Sequence, residues 1–550
     1  GLRWEGALLR EAIDPEGVAI RFDYDDRGNV IRVRDAEDGC WSAEYDHAGR
    51  LVRATTPMGR ETVYAYTSAG LLASVRDPEG AQWSYDYDEW GRMTLAQAPD
   101  GGQWEWEYDA AGQVASVRDP LGRMTRYDYD DLGNPARITG PDGAAHAFMF
   151  DALSRLRSVT DPLGGMWEYD YDADGDLARA VDPTGRGWIQ TGTPASGAVV
   201  RAPLAPPDPA RGAHAGSERV VFDVWGRPTA ASDSSGGLTE VDYDTCGRID
   251  SVTGDDGTTT LVDRDRAGRV VRSVAMPGGR ATTCSYDACG RLSAVTEEDG
   301  ATTRYRYDAD WNLVAVTAPD GESSLSYDGC GRVVRERVPG GGTRSIRYDK
   351  CGRVVSVRDT AYGPRRFSYD AAGQLVRAEN GLGAVSAYEY DEAGRLVRVT
   401  APGGLVAEYA YDKCGRCTRI ASSAAGPVGL SYDAAGRIEQ RTEPDGNVTR
   451  YSYDAEGDMH EVAVNGRVIA TLLPPTETGV VRLWDGSDPD RPIIHELSHT
   501  PHGRPASYKK TDEDGRVISS TSWDYDQEGL CASRTGANGA TVTFQRDPLG

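Results

Sequence analysis

His495-Glu496-Leu497-Ser498-His499 spells H-E-x-x-H, in which two imidazoles one helical turn apart hold zinc and the glutamate serves as base. That chemistry needs a helix. Pro492 and Pro501 bracket the motif, and Pro501 would end a helix just past the second ligand. The longer metalloprotease form wants Gly at 502 and His at 505, where His502 and Pro505 stand. His499-Thr500-Pro501-His502-Gly503-Arg504-Pro505 parallels Phe222-Asp223-Val224-Trp225-Gly226-Arg227-Pro228, so a strand running into a turn is the expected structure, and no metal is expected. Thiol chemistry has nine candidates, Cys40, Cys246, Cys284, Cys289, Cys330, Cys351, Cys414, Cys417 and Cys531. Cys414-Gly415-Arg416-Cys417 is the one C-x-x-C, and it lacks the second pair that a metal site would have. Cys246, Cys289, Cys330, Cys351 and Cys414 all precede the glycine of one recurring turn. If neighbouring copies of that turn lie two strands apart, their thiols are about 10 Å apart, beyond the reach of a disulfide. No Ser-His-Asp arrangement, phosphate loop or nucleotide fingerprint stands out. No catalytic residue and no cofactor are expected.

The elements that position these side chains follow from a repeat. The 550 residues include 66 Gly and 28 Tyr but only 6 Phe. Aligned on Tyr-Asp-x-x-Gly-Arg, Tyr24, Tyr45, Tyr66, Tyr87, Tyr108, Tyr129, Phe150 and Tyr171 follow one another at steps of 21. The register resumes at Phe222, Tyr243 and Arg264. It then runs through Tyr286, Tyr307, Tyr327, Tyr348, Tyr369, Tyr390, Tyr411, Tyr432 and Tyr453, and reappears at Tyr525 and at Arg546-Asp547-Pro548-Leu549-Gly550. Such self-similarity marks a repeat architecture. Its defining residues are exemplified by Tyr24, Asp25 and Gly28; Tyr45, Asp46 and Gly49; Tyr87, Asp88 and Gly91; Tyr108, Asp109 and Gly112; Tyr369, Asp370 and Gly373; Tyr390, Asp391 and Gly394; and Tyr432, Asp433 and Gly436. A second turn, often Asp-Pro-x-Gly or Pro-Asp-Gly, lies midway at Gly80, Gly101, Gly122 and their equivalents; the Asp-Pro-x-Gly form fades after residue 186. Between turns the chain alternates in period two, as in Trp104-Glu105-Trp106-Glu107-Tyr108, which is the pattern of a strand.

The expected fold is therefore all-β, an array of about twenty two-strand repeats. A flat open sheet of that size is implausible because strands twist and edges aggregate, so the array is expected to coil into a hollow shell or barrel. Five segments are expected: a first repeat array over 1–186, a flexible Pro/Ala/Gly-rich insertion over 187–217, a second array over 218–457, a degenerate insertion over 458–498, and resumed repeats over 499–550. The insertions are expected to form loops or a plug at a shell opening. A chain that opens without Met and stops inside a repeat reads as a fragment.

Charge narrows the partners. With 86 acidic against 60 basic side chains the net charge is −26, and no Lys/Arg run exceeds Lys509-Lys510. Direct nucleic-acid binding is not expected, since it needs a basic patch. No apolar stretch approaches the roughly 20 residues that span a bilayer, and no signal peptide is visible. The Asp-rich, non-aromatic sheet face is expected to contribute a negative potential to the enclosed space.

The repeated element, as in Tyr45-Asp46-His47-Ala48-Gly49-Arg50-Leu51-Val52 or Tyr432-Asp433-Ala434-Ala435-Gly436-Arg437-Ile438, resembles the YD repeat of the Rhs family. That family includes bacterial polymorphic toxins, wall-associated toxins, the B and C components of insecticidal toxin complexes, and teneurins. The resemblance implies a strand-built shell that encloses a toxic C-terminal domain until delivery, and a secreted or cell-surface location. Any catalytic activity would then belong to that cargo, which lies outside this chain. It also implies a second reading, a binding module in which exposed Tyr and Trp rows hold cell-surface glycans. A third reading, a zinc hydrolase, rests on His495, Glu496 and His499 alone. The paired Asp-Pro-x-Gly self-cleavage signature of the bacterial proteins is not found, and the Asp-Pro-x-Gly turns here are read as turns.

Overall fold

A computed structural model of the chain describes residues 1–193, 196–203, 218–232, 237–254, 257–454, 457, 459–473, 481–486, 488, 492–499, 505–512, 514–525, 531–536 and 540–543. Fifty-one strands run from Leu2–Glu5 to Thr541–Thr543, with a 3₁₀ turn at Pro339–Gly341 and no α-helix among the described residues. Each strand pairs antiparallel with the strand before and the strand after it, as one continuous meander.

One repeat shows why the sequence folds this way. Strand Gln103–Tyr108 alternates exposed Gln103, Glu105 and Glu107 with less exposed Trp104, Trp106 and Tyr108. Its partner Val114–Arg118 sets Val117 against Trp106 and Val114 against Tyr108, so aromatic and β-branched side chains share one face. A β-bulge falls just before the repeat tyrosine, between Glu107 and Tyr108, and recurs at Tyr129, Tyr390 and Tyr432. A bulge increases local twist, and repeating it once per 21 residues coils the sheet.

The opposite face is mixed in charge, with arginines among the carboxylates. Cross-strand pairs such as Arg34–Asp23, Arg118–Glu105, Arg179–Asp170 and Arg272–Asp263 neutralise it locally. Each exposed pair contributes little to stability.

The sheet surrounds no packed core. Among the described residues no large side chain is fully buried, and the buried apolar set is Ala81, Ala96, Ala98, Val181, Val274, Cys289 and Ala315. The chain exposes 31493 Å², where a compact protein of this mass would expose about 19,000 Å². A coiled sheet with both faces largely wet accounts for the difference.

Both segments where the repeat lapses contribute strands to the same sheet. Gly187–Thr191 and Ala198–Pro203 lie within 187–217, of which residues 204–217 are outside the described residues. Met459–Val464, Arg467–Leu473, Val481–Asp485 and Ile493–His499 lie within or at the end of 458–498 and continue the ladder. There the sequence period is lost while the strand succession persists. The repeat slot at 546–550 lies outside the described residues.

Candidate functional site

The repeat turn is a closed set of bonds. At Asp46 the backbone N–H donates to the carbonyl of Arg50 and the Gly49 N–H donates to the carbonyl of Asp46. Gly49 takes φ 80°, a conformation that favours glycine. The Asp46 Oδ1 accepts the N–H groups of Ala48 and Arg50 at 2.9 and 3.0 Å, and Oδ2 accepts Arg50 Nε at 2.7 Å. The Arg50 backbone and side-chain donors hold the Asp46 carboxyl at about 2, well below its ordinary value.

The same arginine reaches into the next repeat. The Arg50 guanidinium lies 4.7 Å from the centre of the Tyr66 ring, and the Tyr66 hydroxyl donates to the Leu51 carbonyl at 2.8 Å. The unit recurs through the molecule. Tyr24, Tyr45, Tyr87, Tyr108, Tyr369, Tyr390 and Tyr432 each donate to a carbonyl 15 residues earlier, at 2.6 to 3.0 Å. Asp88, Asp391 and Asp433 each bind the arginine four residues on, and Asp25, Asp109 and Asp370 hold Asn29, Gln113 and Gln374 in that slot. Gly28, Gly91, Gly112, Gly373, Gly394 and Gly436 all have φ between 81° and 88°. Where Arg264 replaces the tyrosine, its Nη2 donates to the carbonyl of Ile249, again 15 residues earlier. Each repeat thus bonds within its own turn and to its successor.

A second layer of contacts joins residues about 250 apart. Twenty-three strands, or eleven and a half repeats, separate Asp77 from Cys330, whose Sγ lies 3.2 Å from Asp77 Oδ2. Arg291 Nη2 lies 2.7 Å from Glu37, Arg353 Nη2 is 2.7 Å from Asp100, and Arg395 Nη2 is 3.0 Å from Asp142. Thr56 Oγ1 donates to Asp310 at 2.8 Å, and the Gly329 N–H donates to Glu79 at 2.6 Å. Trp311 Nε1 donates to Asp35 at 2.8 Å and its ring meets Trp41 edge-on at 5.9 Å. The sheet therefore winds on itself once every 23 strands. Midway turns of the first winding dock on repeat turns of the second, and this line of contact is a seam.

The thiols take a place in that seam. All nine cysteines are free. Burial first, and then the carboxylate of Asp77, push the Cys330 thiol up to about 11. Burial likewise raises Cys289, Cys351 and Cys414, which face Asp35, Asp100 and Asp161 in turn. Cys289 is 8% exposed. Cys246 holds the same turn position and is exposed, because no described turn of an earlier winding covers it.

His495 and His499 lie on strand Ile493–His499, paired on both sides. Residues four apart on a strand are about 13 Å apart, so the spacing that brings two imidazoles together on a helix separates them here. Glu496 pairs with Arg482 at 3.5 Å and Lys509 at 3.4 Å, and His495 Nδ1 bonds the Tyr508 hydroxyl at 2.5 Å. A bulge between Ser498 and His499 puts His499 in the slot of the repeat tyrosine. Among the described residues no cluster of three metal-ligating side chains occurs.

The turn lock and the winding define a shell built from repeats. Sequence models of two families match it: RHS Repeat over residues 45–82, 66–103, 108–145, 150–186 and 264–302, and Teneurin YD-shell over 304–424 and 342–470. The chain belongs to the RHS/YD-repeat proteins. Among solved structures it is similar to "Crystal Structure of TcdB2-TccC3-TEV", at 14% identity and TM-score 0.49 over 100% of this chain and 33% of that one. It is also similar to "Crystal Structure of TcdB2-TccC3", at 14% identity and TM-score 0.48 over 98% and 34%, and to a Photorhabdus luminescens Tc holotoxin pore, at 13% identity and TM-score 0.47 over 94% and 32%. The chain spans about a third of the length of those structures. No curated protein sequence matches it.

Proposed function

We propose that this chain is the wall of a container: an encapsulating shell of an Rhs-type toxin that sequesters a C-terminal effector and carries it, secreted or on the cell surface, to a target cell. The observation that carries the reading is a coiled sheet of 51 strands without a packed core. Repeats that fasten one another locally need no filled interior, which leaves the enclosed space for a guest. Family membership supports the toxin association. The five segments expected from the sequence are part of this proposal, with one wall running through all of them. No helix in the described residues is long and apolar enough to cross a membrane.

The glycan-binding alternative asks for free aromatic faces. The repeat tyrosines lie under arginines, with their hydroxyls committed to carbonyls, which favours the container. Proteolysis of the product of the complete reading frame tests it. A segment following the repeats is expected to survive protease in the native state and to be cut once the shell is denatured. Equal cutting in both states, or a reading frame with no such segment, would overturn the reading.

A further inference from the structure

The seam between windings differs in kind from every other junction in the sheet. Within a winding, neighbouring strands share backbone ladders. Across the seam among the described residues, contacts run through side chains and turn backbones, and no strand pairs. Parting the windings would therefore break no ladder.

Chemistry along the seam is specific to it. The first winding supplies turn carboxylates at Asp35, Asp77, Asp100 and Asp161, and the second supplies thiols at Cys289, Cys330, Cys351 and Cys414 in one turn position. Size is restricted as well. A Cβ on Gly102 would come within 3.0 Å of the Ala371 carbonyl, and one on Gly165 within 3.2 Å of the Ala434 carbonyl. In the first winding, on the rim that no described turn covers, this position carries Trp90 and Trp225, 71% and 76% exposed, and also the small Ala48, Ala69 and Ala111. There Arg92 stacks on Trp90 at 4.7 Å and Arg227 on Trp225 at 4.9 Å, so the rim covers its own arginines. The thiols that burial covers all lie on the line where windings meet.

We propose that the shell opens by parting of its windings along this seam, and that the four thiol–carboxylate pairs, with the Arg–carboxylate bridges between them, are its fastening. This adds a route of opening to the container reading, and its test needs no cargo, so either can fail without the other. The thiols become accessible as a set when the seam parts, while the strands stay paired.

Labelling of the native chain with N-ethylmaleimide, read by peptide mass spectrometry, tests the proposal. Cys246 is expected to react first and the four seam thiols about tenfold or more slowly, at one common rate, with the β-sheet circular dichroism unchanged. Glu37→Ala and Glu79→Ala each remove a bond made only across the seam, and each is expected to accelerate all four thiols. Asp77→Cys, oxidised to a disulfide with Cys330, is expected to slow Cys289, Cys351 and Cys414 as well. Seam thiols that react at unrelated rates, or react only at denaturant concentrations that melt the sheet, would overturn the proposal. So would a cross-link that protects no thiol beyond its own.

Discussion

Asp46 and its equivalents turn a carboxylate into a fastener by giving it three donors within one turn. Asp25, Asp46, Asp130, Asp151 and Asp244 all have carboxyls held below their ordinary value, chiefly by hydrogen bonds from the residue four positions on. A carboxyl whose folded value is depressed stabilises the fold above its unfolded value, near 3.9, and loses that contribution as pH falls through the folded value. Thermal melting is therefore expected to be level in the acid range down to about pH 4 and to drop steeply between pH 4 and 2; a midpoint that holds constant to pH 2 would contradict the turn assignment. The tyrosine is the second fastener. Tyr108→Phe removes a bond to the Met93 carbonyl and should cost about 0.5–1.5 kcal/mol in urea unfolding. Arg92→Ala should cost more, because Arg92 binds Asp88 and stacks on both Trp90 and Tyr108. A double-mutant cycle of Arg92→Ala with Tyr108→Phe should show coupling, since the two side chains touch.

At the scale of the strand and turn, the 21-residue period, the two turns per unit and the alternating strands were legible because each rests on local chemistry: Gly at positive φ, Asp as turn acceptor, period-two apolarity. What could not be read locally was the number of strands per winding, which depends on twist accumulated over all the bulges of a winding. Two traces of it were present in the sequence. Asp-Pro-x-Gly turns fade after residue 186, and the pre-glycine cysteines begin at Cys246. The contact of Asp77 with Cys330 places one of each across the seam. The H-E-x-x-H motif shows the reverse, a spacing that carries chemistry on a helix and none on a strand paired at both edges. Turn glycines divide accordingly. Gly101 has φ 94° with open space around a would-be Cβ, so Gly101→Asn should cost about 1 kcal/mol from backbone strain alone and leave the seam in place. A Cβ on Gly39 would sit 2.7 Å from Asp35 Oδ2, the carboxylate that receives Trp311 across the seam. Gly39→Ala should therefore cost about 1–3 kcal/mol by overpacking, with Trp311 fluorescence reporting the displaced seam.

The whole molecule is a one-dimensional array that has acquired a second dimension. Nearest-neighbour repeats set local stability, while the seam imposes a phase of 23 strands, and the two demands can be separated by deleting one unit. Removing residues 108–128 joins Glu107 to Tyr129 in register and leaves each remaining turn its own lock. Curvature still returns the sheet after 23 strands, but every pair that straddles the deletion slips by one unit. Cys330 would then face Thr56 where it now faces Asp77. Cys414 and Asp161 both lie beyond the deletion and keep their relation. The deletion variant is expected to retain its β-sheet circular dichroism, to gain maleimide reactivity at Cys330, and to keep Cys414 protected until the seam as a whole parts. Loss of the sheet itself would mean that the seam is required for folding and that the array has no independent one-dimensional stability. Unchanged protection of Cys330 would mean that windings re-phase to preserve their pairs, so that side-chain matching, and not accumulated twist, sets the circumference of the shell.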